Sequence, residues 1–258
     1  MATTPRPLRG LLYSGGKLMR PDGRGARELR PVEIVPHFIS SAEGSALIKL
    51  GETQVICTAS LEENVPPFLK GQGRGWISSE YSMIPRSTET RTPREAVRGK
   101  QSGRTMEIQR LIGRSLRAVT DLEALGERTL MLDCDVIRAD GGTRTASITG
   151  SMVALGLALQ KLLQLGVLRK QPLRDYVAAV SVGLFGTEIL LDLDYAEDSS
   201  ADVDMNVVMT GSGQLVEIQA AAENTPFNKT SLMDLVSAAE PAIAHLMDVQ
   251  RAVLKIEL

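Results

Sequence analysis

The chain predicts an α/β layered fold with two loosely similar halves, and three observations carry that prediction. Short alternating apolar segments, the pattern of half-buried strands, recur along its length. Longer segments with helical spacing interrupt them near residues 105–125, 145–165 and 231–253. The order is therefore strands, a basic loop, a helix, then strands, helix, strands and helix, which stacks helices on mixed sheets.

The elements follow in order. Residues 1–18 carry Arg6, Arg9 and Lys17 but no continuous apolar stretch and no cleavage site. They predict a flexible extension rather than a secretory signal, with one domain over 19–258. Residues 45–50 and 53–61 read as a hairpin turning at Gly51-Glu52, and 76–84 as a further extended segment. Residues 85–103 have no apolar period and are rich in Arg, Thr and Ser, so they form a long loop of the kind that usually serves function. In the helix at 105–125, Met106, Leu111, Ile112, Leu116, Val119 and Leu122 approximate a 3.6 period, with Arg110, Arg114 and Arg117 on the wet side. Along 130–137, Leu130, Leu132, Cys134 and Val136 alternate with Asp133 and Asp135. Residues 176–183 and 188–194 make a second hairpin, while 202–209 sets Asp202, Asp204 and Asn206 on one face and Val203, Met205 and Val207 on the other. A strand at 214–219 and the helix at 231–253, with Pro241 as a kink, complete the chain.

At 258 residues, 43% hydrophobic and 23% charged, the chain can bury a proper core. No apolar run approaches the roughly 20 residues of a membrane span, so no membrane partner is expected. Residues 151–166 come nearest, but Gly156, Gln160, Lys161 and Gln164 make them a buried helix. Cys57 and Cys134 lie in apolar strand patterns without a CxxC spacing, and the histidines are His37 and His245. Two buried thiols in a reducing cytoplasm are expected, rather than a disulfide or zinc site. The net charge of −2 hides a segregation: residues 70–117 hold eleven bases against four acids, whereas 188–204 hold seven acids and no base. Such an arrangement suits a polyanion beside bound cations, or two solvated surfaces.

Ala139-Asp140-Gly141-Gly142-Thr143-Arg144 joins a strand to the apolar helix at 145–165. Glycines at a helix start leave N–H groups pointing at a concavity, and Arg144 can add a planar fork that matches phosphate oxygens. A tight connector with a surface arginine is the other reading of the same residues. Gly103-Arg104-Thr105 repeats the theme: an arginine is electrostatically misplaced at a helix start unless an anion sits nearby. Neither turn carries a Walker A or GxGxxG pattern, which disfavours a nucleoside triphosphate. Asp198 and Asp204 come from a loop and a strand. They can hold a hard cation, act as a general acid, or serve only as turn and edge charges. Arg86, Arg91 and Arg94 stand in the long loop without aromatic neighbours. That composition favours contacts to a phosphodiester backbone over base stacking.

Several long words, in one order, resemble the ribonuclease PH family of phosphorolytic 3′→5′ exoribonucleases. They are Arg20-Pro21-Asp22-Gly23-Arg24, Glu28-Leu29-Arg30-Pro31-Val32, the runs 65–71, 103–112 and 139–150, Asp133-Cys134-Asp135-Val136, and the run 197–207. The resemblance covers residues 19 to about 250. It implies the ribonuclease PH fold, related to the second domain of ribosomal protein S5, in a homohexameric ring of three dimers. It implies that Arg104, Gly142, Thr143 and Arg144 hold inorganic phosphate, the co-substrate, and that Asp198 and Asp204 are catalytic carboxylates coordinating Mg²⁺. Arg86, Arg91 and Arg94 would guide the RNA 3′ end. The implied activity removes nucleotides beyond the 3′ CCA of tRNA precursors and releases nucleoside diphosphates. Reversal adds nucleotides to RNA, and a part in ribosomal RNA processing is also implied. A catalytically silent RNA-binding ring subunit is the rival, and a hydrolytic nuclease a weaker one.

Overall fold

The computed structural model of the protein describes residues 12–14, 17–223 and 226–256. Among these, the strands are β1 (Leu12–Ser14), β2 (Lys17–Met19), β3 (Val32–Pro36), β4 (Gly44–Leu50), β5 (Thr53–Glu62), β6 (Trp76–Met83), β7 (Thr129–Arg138), β8 (Val177–Phe185), β9 (Glu188–Leu191), β10 (Val203–Thr210) and β11 (Leu215–Ala222). The helices are α1 (Gly103–Ala118), α2 (Leu122–Leu125), α3 (Thr143–Gln164), α4 (Tyr195–Asp198) and α5 (Lys229–Leu254).

Two sheets carry the architecture. The first runs β3-β4-β5-β7-β6 and is antiparallel except for β6 against β7, which the chain joins through α1 and α2. The second runs β11-β10-β8-β9 and is antiparallel throughout. Between them lies α3, packed on β4 and β5 of one sheet and on β8 of the other. Nearly every α3 side chain is consequently buried, Ile148, Met152, Leu155 and Leu159 completely. Each such side chain contributes roughly 1.5–3 kcal/mol by leaving water. The layered class read from the sequence holds, and Cys57 and Cys134 are free buried thiols facing each other across β5 and β7.

Five expectations need correction. By length and composition α3 is apolar enough to cross a membrane, although the sequence reading found no such segment; 83% of its apolar window is buried inside the fold, as in a core helix. Its interior hydroxyls are bonded either within the helix, as where Ser147 donates to the Thr143 carbonyl at 2.8 Å, or to neighbouring strands, as where Thr149 accepts from the Ala179 N–H at 3.3 Å. The helix expected over 105–125 breaks at Val119–Asp121, where Thr120 bridges to Leu173 and Asp121 caps α2 by accepting from the Glu123 and Ala124 N–H groups. Met106, expected on the apolar face, is exposed, and Arg117 leaves the wet side to lie over the Trp76 ring at 4.3 Å. The strand expected to reach residue 194 stops at Leu191, because Asp192 takes a left-handed φ of 54° and Asp194 caps α4. Pro241 lies inside α5 without ending it. Of the expected extension, β1 pairs with β2, and residues 1–11 and 15–16 lie outside the described residues.

Candidate active site

The connection from β7 to α3 builds the anion cup. Gly141 and Gly142 both take left-handed φ values, 69° and 65°, and Gly142 caps α3 without offering a side chain to its first turn. The N–H groups of that turn therefore point outward unpaired, as an anion site requires. At Gly141 a Cβ would lie 2.4 Å from the Leu193 carbonyl and has no room; at Gly142 it would crowd Arg30 Nη2 at 3.0 Å, and the left-handed backbone adds strain for any L side chain. Thr53 Oγ1 clips the loop by donating to the Gly141 carbonyl at 2.6 Å and accepting from the Asp140 N–H at 2.9 Å. The Thr143 hydroxyl pairs with Tyr81 at 2.8 Å, which ties the cup to β6.

Arg144 then reaches into a cavity of about 490 Å³ whose wall includes Arg104, Gly142, Thr143, Asp198 and Asp204. The two sheets supply opposite charges to it. Arg104 opens α1 and the cup opens α3, whereas Asp198 ends α4 and Asp204 lies on β10 beside β8. Burial, and then the neighbouring Arg104, holds the Arg144 guanidinium below its usual pKa. Burial, and then the facing Asp204, pushes the Asp198 carboxyl up. Each of these two destabilised charges is one that a bound partner of opposite sign would relieve: an anion for Arg144, a cation for Asp198.

The sequence-predicted residues therefore divide. Arg104, Gly142, Thr143, Arg144, Asp198 and Asp204 share one cavity. Arg94 lines a second cavity of about 980 Å³, which shares Arg104 with the first and is also lined by Glu80, Asp133 and Asp135. Arg86 and Arg91 are exposed and line neither of these two cavities.

One group of residues went unread as site-builders. Arg20 grips Glu197, inside α4, with Nε and Nη2 at 2.7 and 2.6 Å. Arg30 grips Asp192 at 3.0 and 2.7 Å and also donates to the Asp140 carbonyl just before the cup. The side chains of Asp192 and Glu197 are wholly buried, so part of the acidic run is internal rather than solvated. These forks connect the Gly141-Gly142 turn to the segment bearing Asp198, and the words around Arg20 and Arg30 were the only sequence signal for them. Asp192→Asn is expected to cost about 3–5 kcal/mol of unfolding free energy in urea melts, because it leaves Arg30 buried without its counter-charge. A loss below about 1 kcal/mol would mean that solvent already screens the pair.

The comparisons with known proteins follow this geometry. The family model described as the 3′ exoribonuclease family, domain 1, matches residues 28–159, and the model of domain 2 matches 175–241. The chain belongs to the 3′ exoribonuclease family. Domain 1 spans the first sheet with Arg104 and the cup, and domain 2 spans the aspartates. A ribonuclease PH of Moorella thermoacetica is 60% identical over 92% of this chain and 95% of its own length. One from Bacillus mycoides is 59% identical over 92% and 97%. An Archaeoglobus fulgidus exosome structure with RNA bound to the active site aligns with a TM-score of 0.76 at 26% identity, covering 89% of this chain and 92% of that one. Rice Rrp46 aligns at 0.75 with 19% identity, over 92% of this chain and 100% of that one, a likeness of fold alone.

Proposed function

We infer that the chain is a ribonuclease PH: a phosphorolytic 3′→5′ exoribonuclease that trims tRNA precursors beyond their CCA end. The observation that carries this reading is the single cavity shared by two phosphate-type arginines and two carboxylates. In it, Arg104 and the Gly142–Arg144 turn seat inorganic phosphate as the nucleophile, in line with the last phosphodiester. The guanidinium of Arg144 and the first-turn N–H groups of α3 stabilise the charge that develops on the transferring group. The silent-subunit rival has no use for an intact set of this kind.

Asp198 and Asp204 are suited to Mg²⁺. No group of three or more ligating side chains occurs among the described residues, and Mg²⁺ characteristically takes one or two carboxylates plus phosphate oxygens. Burial, and then the facing Asp204, raises the Asp198 pKa, and such an ion would favour its ionised form. When bound there, it would supply electrostatic shielding between the attacking phosphate and the RNA.

Arg86, Arg91 and Arg94 form the RNA track in this reading, supported by their exposure on one loop. RNA affinity should then fall linearly on a log–log plot against salt, and neutralising all three should flatten that slope by roughly two to three. An unchanged slope would remove them from the track. We also propose a homohexamer of three dimers; β11 is an edge strand, paired on one side with β10 and with no strand on its other side among the described residues, and its Leu215 and Ile218 are exposed, which suits burial against another copy. A solution mass near six times 27.9 kDa is expected, and a monomer would contradict it.

The reverse reaction tests the activity. Given a short RNA, Mg²⁺ and nucleoside diphosphates, the protein should lengthen the 3′ end and release phosphate. Extension from nucleoside triphosphates instead would contradict the reading.

A further inference from the structure

We infer that Glu107 and Gln219 form a latch on Arg144 that holds its guanidinium when phosphate is absent and thereby sets the affinity for phosphate. The inference rests on the reading of the Gly142–Arg144 turn as the phosphate seat. Gln219 lies on β11 beside Asn206 of β10, and Glu107 stands on α1 three residues after Arg104. Arg144 Nη1 donates to Gln219 Oε1, and Gln219 Nε2 donates to Glu107 Oε1. Glu107 Oε1 is itself 3.8 Å from Arg144 Nη1.

The chemistry leaves the amide one orientation. A guanidinium can only donate and a carboxylate can only accept, so the Gln219 oxygen must face Arg144 and its NH₂ must face Glu107. The relay spans the two sheets, since α1 packs on β6 and β11 edges the second sheet.

Charge explains why such a latch is needed. Arg144 is largely buried and has Arg104 as a like-charged neighbour, and both effects work against its cation. Glu107 offsets them and adds nothing that an incoming phosphate would gain from. Phosphate replaces Glu107 as the counter-charge to Arg144 while being repelled by the carboxylate it displaces. Glu107 therefore lowers phosphate affinity, and in exchange keeps the empty site ordered.

Glu107→Gln preserves the shape and an acceptor for Gln219 but removes the charge. Inorganic phosphate, titrated calorimetrically into the full chain at fixed ionic strength without RNA, should bind that variant about two- to fivefold more tightly, the range for a half-exposed charge. Gln219→Glu places a carboxylate directly on Arg144 and should weaken binding by at least a comparable factor. A purely structural role would weaken binding in both variants. Unchanged or weaker binding by Glu107→Gln, with phosphate still bound by the unaltered chain, would overturn the latch alone. No binding of phosphate by the unaltered chain would overturn the phosphate seat beneath it.

Discussion

Arg144→Ala is expected to abolish phosphorolysis while RNA binding survives. The substitution removes the planar fork from the cavity but leaves Arg104, the first-turn N–H groups of α3 and the exposed loop arginines in place. Removing one preorganised donor to a charge-developing group typically costs about 10²–10³ in kcat. Here the loss should exceed that range, because in the proposed reading Arg144 also binds the nucleophile and opposes the repulsion between two anions. Phosphate should raise the thermal midpoint of the unaltered protein, as any ligand of the native state does, and that rise should vanish in the variant. Gel-shift affinity for a tailed RNA should change little. If the variant instead bound RNA far more weakly and turned over at a normal rate, Arg144 would belong to the RNA track.

Asp198→Asn should pair a loss of activity with a gain in stability. The folded pKa of Asp198 is raised above 3.8 by burial and by Asp204. A raised carboxyl pKa means that the folded chain binds this proton more tightly than the unfolded chain does. The ionised group thus opposes folding at neutral pH, and the penalty disappears as pH falls below 3.8. Asparagine removes it at every pH. In buffer free of divalent cations, the variant should melt higher than the unaltered protein at pH 7, with the gap closing toward acid. Activity should fall roughly 10²-fold or more, since the proposed cation ligand is gone. A variant that melted lower at neutral pH would show that Asp198 serves the fold rather than the site.

The parts legible in the chain were those governed by local rules. Strand alternation placed Leu130, Leu132, Cys134 and Val136 in the core, and glycine chemistry marked the cup at Gly141-Gly142. Proximity was less accessible: only folding brings Arg104 and Asp198, 94 positions apart, to one cavity. Several misreadings share a cause, a charge satisfied by a distant partner. Asp192 and Glu197 looked like surface acids until Arg30 and Arg20 reached them from more than 160 positions away. Arg117 looked solvated until the Trp76 ring and the Ile77 carbonyl received it. Helix ends failed similarly. Periodicity carried α1 past Ala118, although Asp121 is a better cap than an interior residue. Glu107 and Gln219 sit on separate elements, and their relation to Arg144 has no sequence signature.

The central claim is that phosphate is a reactant at the Arg104–Arg144 seat, and product identity tests it most directly. The protein is incubated with a 3′-tailed RNA and Mg²⁺, with and without inorganic phosphate, and the released nucleotides are separated. The account predicts nucleoside diphosphates that appear only when phosphate is present. Nucleoside monophosphates released without phosphate would contradict it, as would no release under either condition.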